Sequence, residues 1–237
     1  MAYKSLYIVA LFGLLASVSL RAQDTIPRGW NTGKIRGSRY IPYFSCNGNP
    51  FLTDKFMKGE IEFEDGIKID NLNLRYSGYK DEVIYLNTRL SAQIIIDRQS
   101  LKAFSLIDTG GRVRTFRLQY YSGFLPGKRF FEVLSEGEIA LLAYRKVELQ
   151  TCPVYTDNSG TIKNLEYQKN FTYYLYNDKK GYEQIRIGKN SLYSKFDKPN
   201  LKLVKKLLRS NKIAISDETG FLKAWNLIQS NRIPINF

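Results

Sequence analysis

The chain has 237 residues, a formal net charge of +14 and no histidine. The missing imidazole excludes Ser–His and Cys–His nucleophile pairs and the usual histidine metal sites. Any acid–base work falls to Glu, Asp, Lys or Tyr.

Residues 1–22 read as a signal peptide. Lys4 sits in a short n-region, Ile8–Leu20 forms an apolar core, and Leu20-Arg21-Ala22-Gln23-Asp24 returns to polar sequence. The core falls short of the ~20 apolar residues that a membrane-spanning helix needs. The expectation is an exported protein, periplasmic or extracellular in a bacterium, with no transmembrane segment. Residues 23–49 are rich in Gly, Arg and Asn without periodicity and read as an extended N-terminal arm.

Residues 50–196 carry a β pattern. Gly59–Glu64 alternates with period two, Asp65-Gly66 is a preferred pair for a tight hairpin turn, and Ile67–Ile69 and Leu72–Tyr76 alternate again. Further strands are expected at 82–86, 91–96, 103–107, 113–119, 129–134, 139–148, 171–176 and 184–187. Short alternating strands without long helices between them predict a mainly β fold. An antiparallel meander of this kind forms a curved sheet, an open barrel or a sandwich.

At Asp197 the period changes. Asp197 can cap a helix that tolerates Pro199 in its first turn, and Leu201, Val204, Leu207 and Leu208 make an apolar stripe at helical spacing. Ser216, followed by Asp217 and Glu218, is read as the cap of a second helix whose apolar face is Phe221, Leu222, Trp225 and Ile228. Residues 197–237 are thus expected to form a cap of two C-terminal helices packing on the β domain.

The leader, Gly48-Asn49-Pro50-Phe51-Leu52, the Lys58-Gly59-Glu60-Ile61 strand with its Asp65-Gly66 hairpin, Phe130–Leu134 with Leu141-Leu142-Ala143, Tyr173-Tyr174-Leu175 and a Lys-rich helix followed by a short one come in this order. The arrangement resembles a group of uncharacterised exported bacterial β-rich proteins. The resemblance covers most of residues 46–231 and rests on structural words. It implies the fold and brings no activity, cofactor or catalytic residue.

Cys46 and Cys152 are the only cysteines. In an oxidising compartment they can pair, closing a loop worth ~4–5 kcal/mol in the chain-entropy model. Two unpaired, partly buried thiols are the equal alternative.

Asp108-Thr109-Gly110, preceded by Leu106-Ile107, resembles the active-site loop of aspartic proteases, in which two aspartates share a proton. Gly111-Arg112 departs from that pattern, and a dimer would have to supply the second loop. The competing reading is a hairpin turn. Glu132, Glu136, Glu138 and Glu148 could supply a glycosidase pair only if two of them lay ~5–10 Å apart across a cleft. The tyrosine runs Tyr120-Tyr121 and Tyr173–Tyr176 suit sheet packing more than a ligand platform, and neighbours in each run should point to opposite faces. No metal or cofactor pattern is present.

Lys202, Lys205, Lys206 and Arg209 lie mostly off the apolar stripe of the first helix and form a basic face. The expected function is an exported, non-enzymatic binding or cell-envelope interaction protein using that face. Its partner would be an anionic envelope lipid, an acidic glycan or an acidic protein, not nucleic acid. The alternative is a carboxylate-dependent hydrolase, either a dimeric aspartic protease or a glycosidase.

Overall fold

The computed structural model describes residues 32–43, 46–156, 158–160 and 162–237; the expected leader and the first part of the arm lie outside them. One sheet holds twelve strands: β1 (Gly37–Arg39), β2 (Asn47–Gly48), β3 (Met57–Phe63), β4 (Lys68–Ser77), β5 (Glu82–Asn87), β6 (Ala92–Ile96), β7 (Leu101–Ile107), β8 (Val113–Tyr121), β9 (Gly127–Ser135), β10 (Ala140–Thr156), β11 (Ile162–Asn177) and β12 (Gly181–Ile185). Their order is β1-β6-β5-β4-β3-β7-β8-β9-β10-β11-β12, and β2 joins β11 off this path. Every pairing is antiparallel except that of β2 with β11. The sheet is open. Two meanders, β3–β6 and β7–β12, join where β3 pairs with β7, and a 3-10 turn at Arg98–Ser100 makes the crossover between them.

The β3–β4 hairpin follows its sequence. Gly66 takes φ +82°, a left-handed conformation that glycine adopts at no steric cost, and Asp65 Oδ1 accepts the Ile67 N–H at 3.1 Å. The largest departure is the β10–β11 hairpin, whose strands run 17 and 16 residues. The sequence reading ends the first strand at 148 and starts the second at 171. The outer residues lack period-two alternation because β9 pairs only with the inner part of β10, at Leu141–Tyr144. Among its described side chains the outer hairpin is mostly exposed, with Tyr167 the buried exception where β2 docks.

The sheet curls until the β4–β5 turn meets β10. The Val147 N–H donates to the Gly78 carbonyl at 3.0 Å. A Cβ on Gly78 would sit 2.4 Å from the Arg145 carbonyl oxygen, so only glycine allows this approach. Nearby, Asp81 accepts from the Tyr76 hydroxyl and from Arg98 Nη2, both at 2.6 Å, tying the same turn to the crossover.

Two apolar clusters result from strand alternation. One holds Ile61, Leu74, Tyr76, Phe104, Phe116 and Phe130, with the Phe104 and Phe116 rings stacked at 4.6 Å. The other lies between β9–β12 and the helices. A third, smaller group around Phe131, Leu142 and Tyr174 occupies the opposite face, since neighbours such as Phe130 and Phe131 point opposite ways. The tyrosine runs divide as alternation requires: Tyr173 packs with the helix-side cluster, while Tyr174 belongs to this third group.

Three helices follow the sheet: α1 (Lys189–Tyr193), α2 (Lys198–Ser210) and α3 (Glu218–Ser230). Asp197 caps α2 by accepting the Asn200 N–H at 3.0 Å, and Val204 and Leu208 are its buried residues. Asp217, rather than Ser216, caps α3, accepting the Gly220 N–H at 2.7 Å. The buried face is Phe221, Ala224, Trp225 and Ile228, at i, i+3, i+4 and i+7, and Leu222, one position off this stripe, is half-buried. Burying each large side chain of this face contributes ~1.5–3 kcal/mol, which is what docks the helices. No described helix is long and apolar enough to cross a membrane.

Candidate anion-binding site

Loop 211–216 folds back between α2 and α3, and its Ala214 carbonyl lies so close to Gly220 that a Cβ there would be 2.1 Å away. This fold-back opens a concavity of about 590 Å³ lined by Lys189, Tyr193, Lys205, Leu208, Arg209, Ile213, Ala214, Ile215 and Ser216. Its cations come from two helices. Lys189 opens α1, and Lys205 and Arg209 are one turn apart on α2.

The Tyr193 ring lies between the two lysines. Lys189 Nζ lies 5.8 Å and Lys205 Nζ 5.3 Å from its centroid, within the range of cation–π attraction. All three cations are exposed, and among the described residues none of them is ion-paired to a carboxylate. Leu208, Ile213 and Ile215 add apolar wall beside the cations. Chemically, the site can hold a phosphate, sulfate or carboxylate attached to a larger body. Arg209 offers the forked donor geometry that suits such oxyanions.

The four residues of the expected basic face are all exposed on α2, and they do not act as one group. Lys205 and Arg209 line the concavity; Lys202 and Lys206 do not. Lys189 and Tyr193 escaped the sequence reading, and Ser216 entered it only as a helix cap. α1 is a five-residue helix too short to show a period, and the contact between α1 and α2 is tertiary.

The carboxylates are otherwise engaged. Glu132 on β9 is 1% exposed. Arg114 on β8 grips both its oxygens at 2.7 and 2.8 Å, and Arg145 Nε on β10 reaches Oε2 at 2.5 Å. Arg145 in turn forks onto Glu218, the first residue of α3, at 2.6 and 2.8 Å, and the Tyr173 hydroxyl donates to Glu218 at 2.6 Å. Burial alone would raise both glutamate pKa values. Hydrogen bonds and charge from the arginines outweigh it and hold both carboxyls below their ordinary value. Burial likewise disfavours a charged Arg145, and its two carboxylate partners outweigh that and push its pKa up. Burial, then Glu218, pushes the Tyr173 hydroxyl up to about 12. Two carboxylates held ionised cannot provide the protonated acid of a glycosidase pair.

Glu136 is exposed and paired with Arg117, and Glu138 is exposed. Glu148 is held low by hydrogen bonds from Lys146 and Asn170. Asp108 serves its own turn: its Oδ1 accepts the Gly110 and Arg112 N–H groups, both at 2.9 Å, while Gly111 takes φ +78°. Cys46 and Cys152 are free and half-buried. Cys46 adjoins β2, which pairs with one edge of β11 at Glu166, and Cys152 lies on β10, on the other edge. Two strand spacings put them ~10 Å apart, beyond the ~7 Å that a disulfide spans between Cα atoms.

Among the described residues no group of three or more acidic or cysteine side chains could hold a metal ion. No family model matches the chain, and comparison with curated proteins and with solved structures finds no match either.

Proposed function

We propose that this is an exported, non-enzymatic binding protein of the bacterial cell envelope, and that its helical cap holds the anionic group of an envelope component. One observation carries the reading: Lys189, Lys205 and Arg209 converge on one concavity around Tyr193 with no carboxylate partner among the described residues. Like charges gathered in one place repel one another, and an anion relieves that repulsion. Export rests on Lys4, the Ile8–Leu20 core and the polar exit after it. The likeness to exported β-rich proteins supports the same compartment. Hydrolysis draws no support from the geometry, because Asp108 closes its own turn and Glu132 and Glu218 are bound to arginines.

A charge-matched comparison tests the reading. One variant carries Lys189→Gln, Lys205→Gln and Arg209→Gln; its control carries Lys198→Gln, Lys202→Gln and Lys206→Gln, which remove equal charge outside the concavity. Retention on a heparin-like resin should fall much further for the first than for the second, and wild-type retention should weaken steeply with salt. Equal loss in both would reduce the effect to overall charge and overturn the proposal.

A further inference from the structure

The β8–β9 hairpin ends in Ser122-Gly123-Phe124-Leu125-Pro126, and its two large apolar side chains point away from the protein: Phe124 is 85% and Leu125 66% exposed. The loop is held in this form. Leu125 takes φ +57°, a left-handed conformation unfavourable for leucine. The Arg129 guanidinium donates to the carbonyls of both Phe124 and Leu125 and lies 4.5 Å from the Tyr121 ring centroid. Tyr121 folds against Gly123 so closely that a Cβ there would sit 2.3 Å from its hydroxyl. The base of the loop is therefore fixed while its apolar tip is left bare.

We infer that this tip inserts into the surface of an anionic lipid bilayer. The residues are layered as an interface requires. Phe124 and Leu125 form the outermost layer. Behind them Tyr120, 62% exposed, faces Lys128 across the strand pair, with Arg129 next in line. An aromatic ring and long basic side chains at that level match the headgroup region. A hairpin tip reaches the ~5–10 Å depth of interfacial insertion without disturbing its sheet. Loop carbonyls entering lipid lose water, and Arg129 already satisfies those of Phe124 and Leu125. Lys128 faces Glu64 at 3.7 Å, while Arg129 forms no ion pair among the described residues; the chain charge of +14 becomes 14 − 2 = +12 without Lys4 and Arg21 of the leader, and attraction to an anionic surface follows. A second copy of the chain fits less well. One phenylalanine and one leucine offer at most roughly 400 Å², against the ~800 Å² per partner of a standard interface.

The double variant Phe124→Ser, Leu125→Asn separates insertion from stability, because asparagine tolerates the left-handed conformation that leucine resists. The variant should melt at the wild-type temperature or above it. Its binding to vesicles of equal parts phosphatidylglycerol and phosphatidylethanolamine should nevertheless fall at least about tenfold. In Phe124→Trp the added tryptophan should shift its emission to the blue on those vesicles, much less on phosphatidylcholine alone. Equal vesicle binding by wild type and double variant, no vesicle binding by wild type, or no blue shift would overturn the inference. So would a wild-type dimer that the double variant abolishes. Retention on the heparin-like resin should be unchanged in the double variant, so this inference and the concavity stand or fall separately.

Discussion

Arg145 on β10 and Glu218 at the start of α3 form a two-point ion pair, Nη1 to Oε2 at 2.6 Å and Nη2 to Oε1 at 2.8 Å. The same guanidinium holds Glu132 through Nε, so one side chain fastens the helical layer to the sheet between its two large apolar clusters. Replacing Arg145 by Met leaves Glu132 buried with Arg114 alone and Glu218 half-buried without its cation. That loss should cost ~3–5 kcal/mol in chemical unfolding. Glu218→Gln removes less and should cost ~1–2 kcal/mol. A small effect of Arg145→Met would mean that the clusters dock without the network.

The same network sets the acid response. Glu132 and Glu218 have folded-state pKa values below the ordinary 4.5. A depressed carboxyl contributes stability that is fully present above its unfolded value and is lost as pH falls through the folded value. Urea midpoints should therefore be flat near neutrality and drop below the ordinary carboxylate range. In Glu132→Gln that acid-side slope should be shallower.

Gly78→Ala tests the curl of the sheet. The added methyl would lie 2.4 Å from the Arg145 carbonyl oxygen and 2.8 Å from Val147 Cγ2, and the first neighbour is backbone that cannot move aside cheaply. A destabilisation of ~2 kcal/mol or more is expected, where an alanine in open space would cost nothing. Gly66 and Gly111 take positive φ but have open space around them, so Gly78 isolates the steric effect.

The two cysteines should remain thiols. Denatured without reductant, the protein should give two equivalents with a thiol reagent, and a Cys46→Ser, Cys152→Ser variant should melt as the wild type does. A mass two hydrogens lighter would show that the strands move far enough to bridge them.

Asp108→Asn retains an oxygen for the Gly110 and Arg112 N–H groups and should cost under ~1 kcal/mol. Asp108→Ala loses both bonds and should cost ~1–2 kcal/mol. Pepstatin-sensitive proteolysis that vanished in Asp108→Asn would restore the protease reading.

What was legible in the sequence was local. Asp65-Gly66 specifies its turn, and Asp197 with Leu201, Val204, Leu207 and Leu208 specifies a capped amphipathic helix, since these signals act within a few residues. The parallel docking of β2 on β11 and the meeting of Gly78 with β10 depend on partners far away in the chain. The buried network did leave a trace. Glu132 shares inward parity with Phe130 and Leu134, and Arg145 shares it with Leu141, Ala143 and Val147. Opposite charges on the inward parity of neighbouring strands mark a buried pair. The concavity was half legible: Lys205 and Arg209 stand on a recognisable helix, while Lys189 joins them only when α1 packs beside α2.

The central claim is that the Lys189–Lys205–Arg209 concavity binds an anion, and amide chemical-shift mapping during titration with an acidic oligosaccharide tests it most directly. The account predicts saturable shifts confined to Lys189, Tyr193, Lys205, Arg209 and residues 213–216, abolished by Lys205→Gln with Arg209→Gln. Small, non-saturating shifts spread over all exposed lysines, or a saturable site elsewhere that ignores those substitutions, would contradict it.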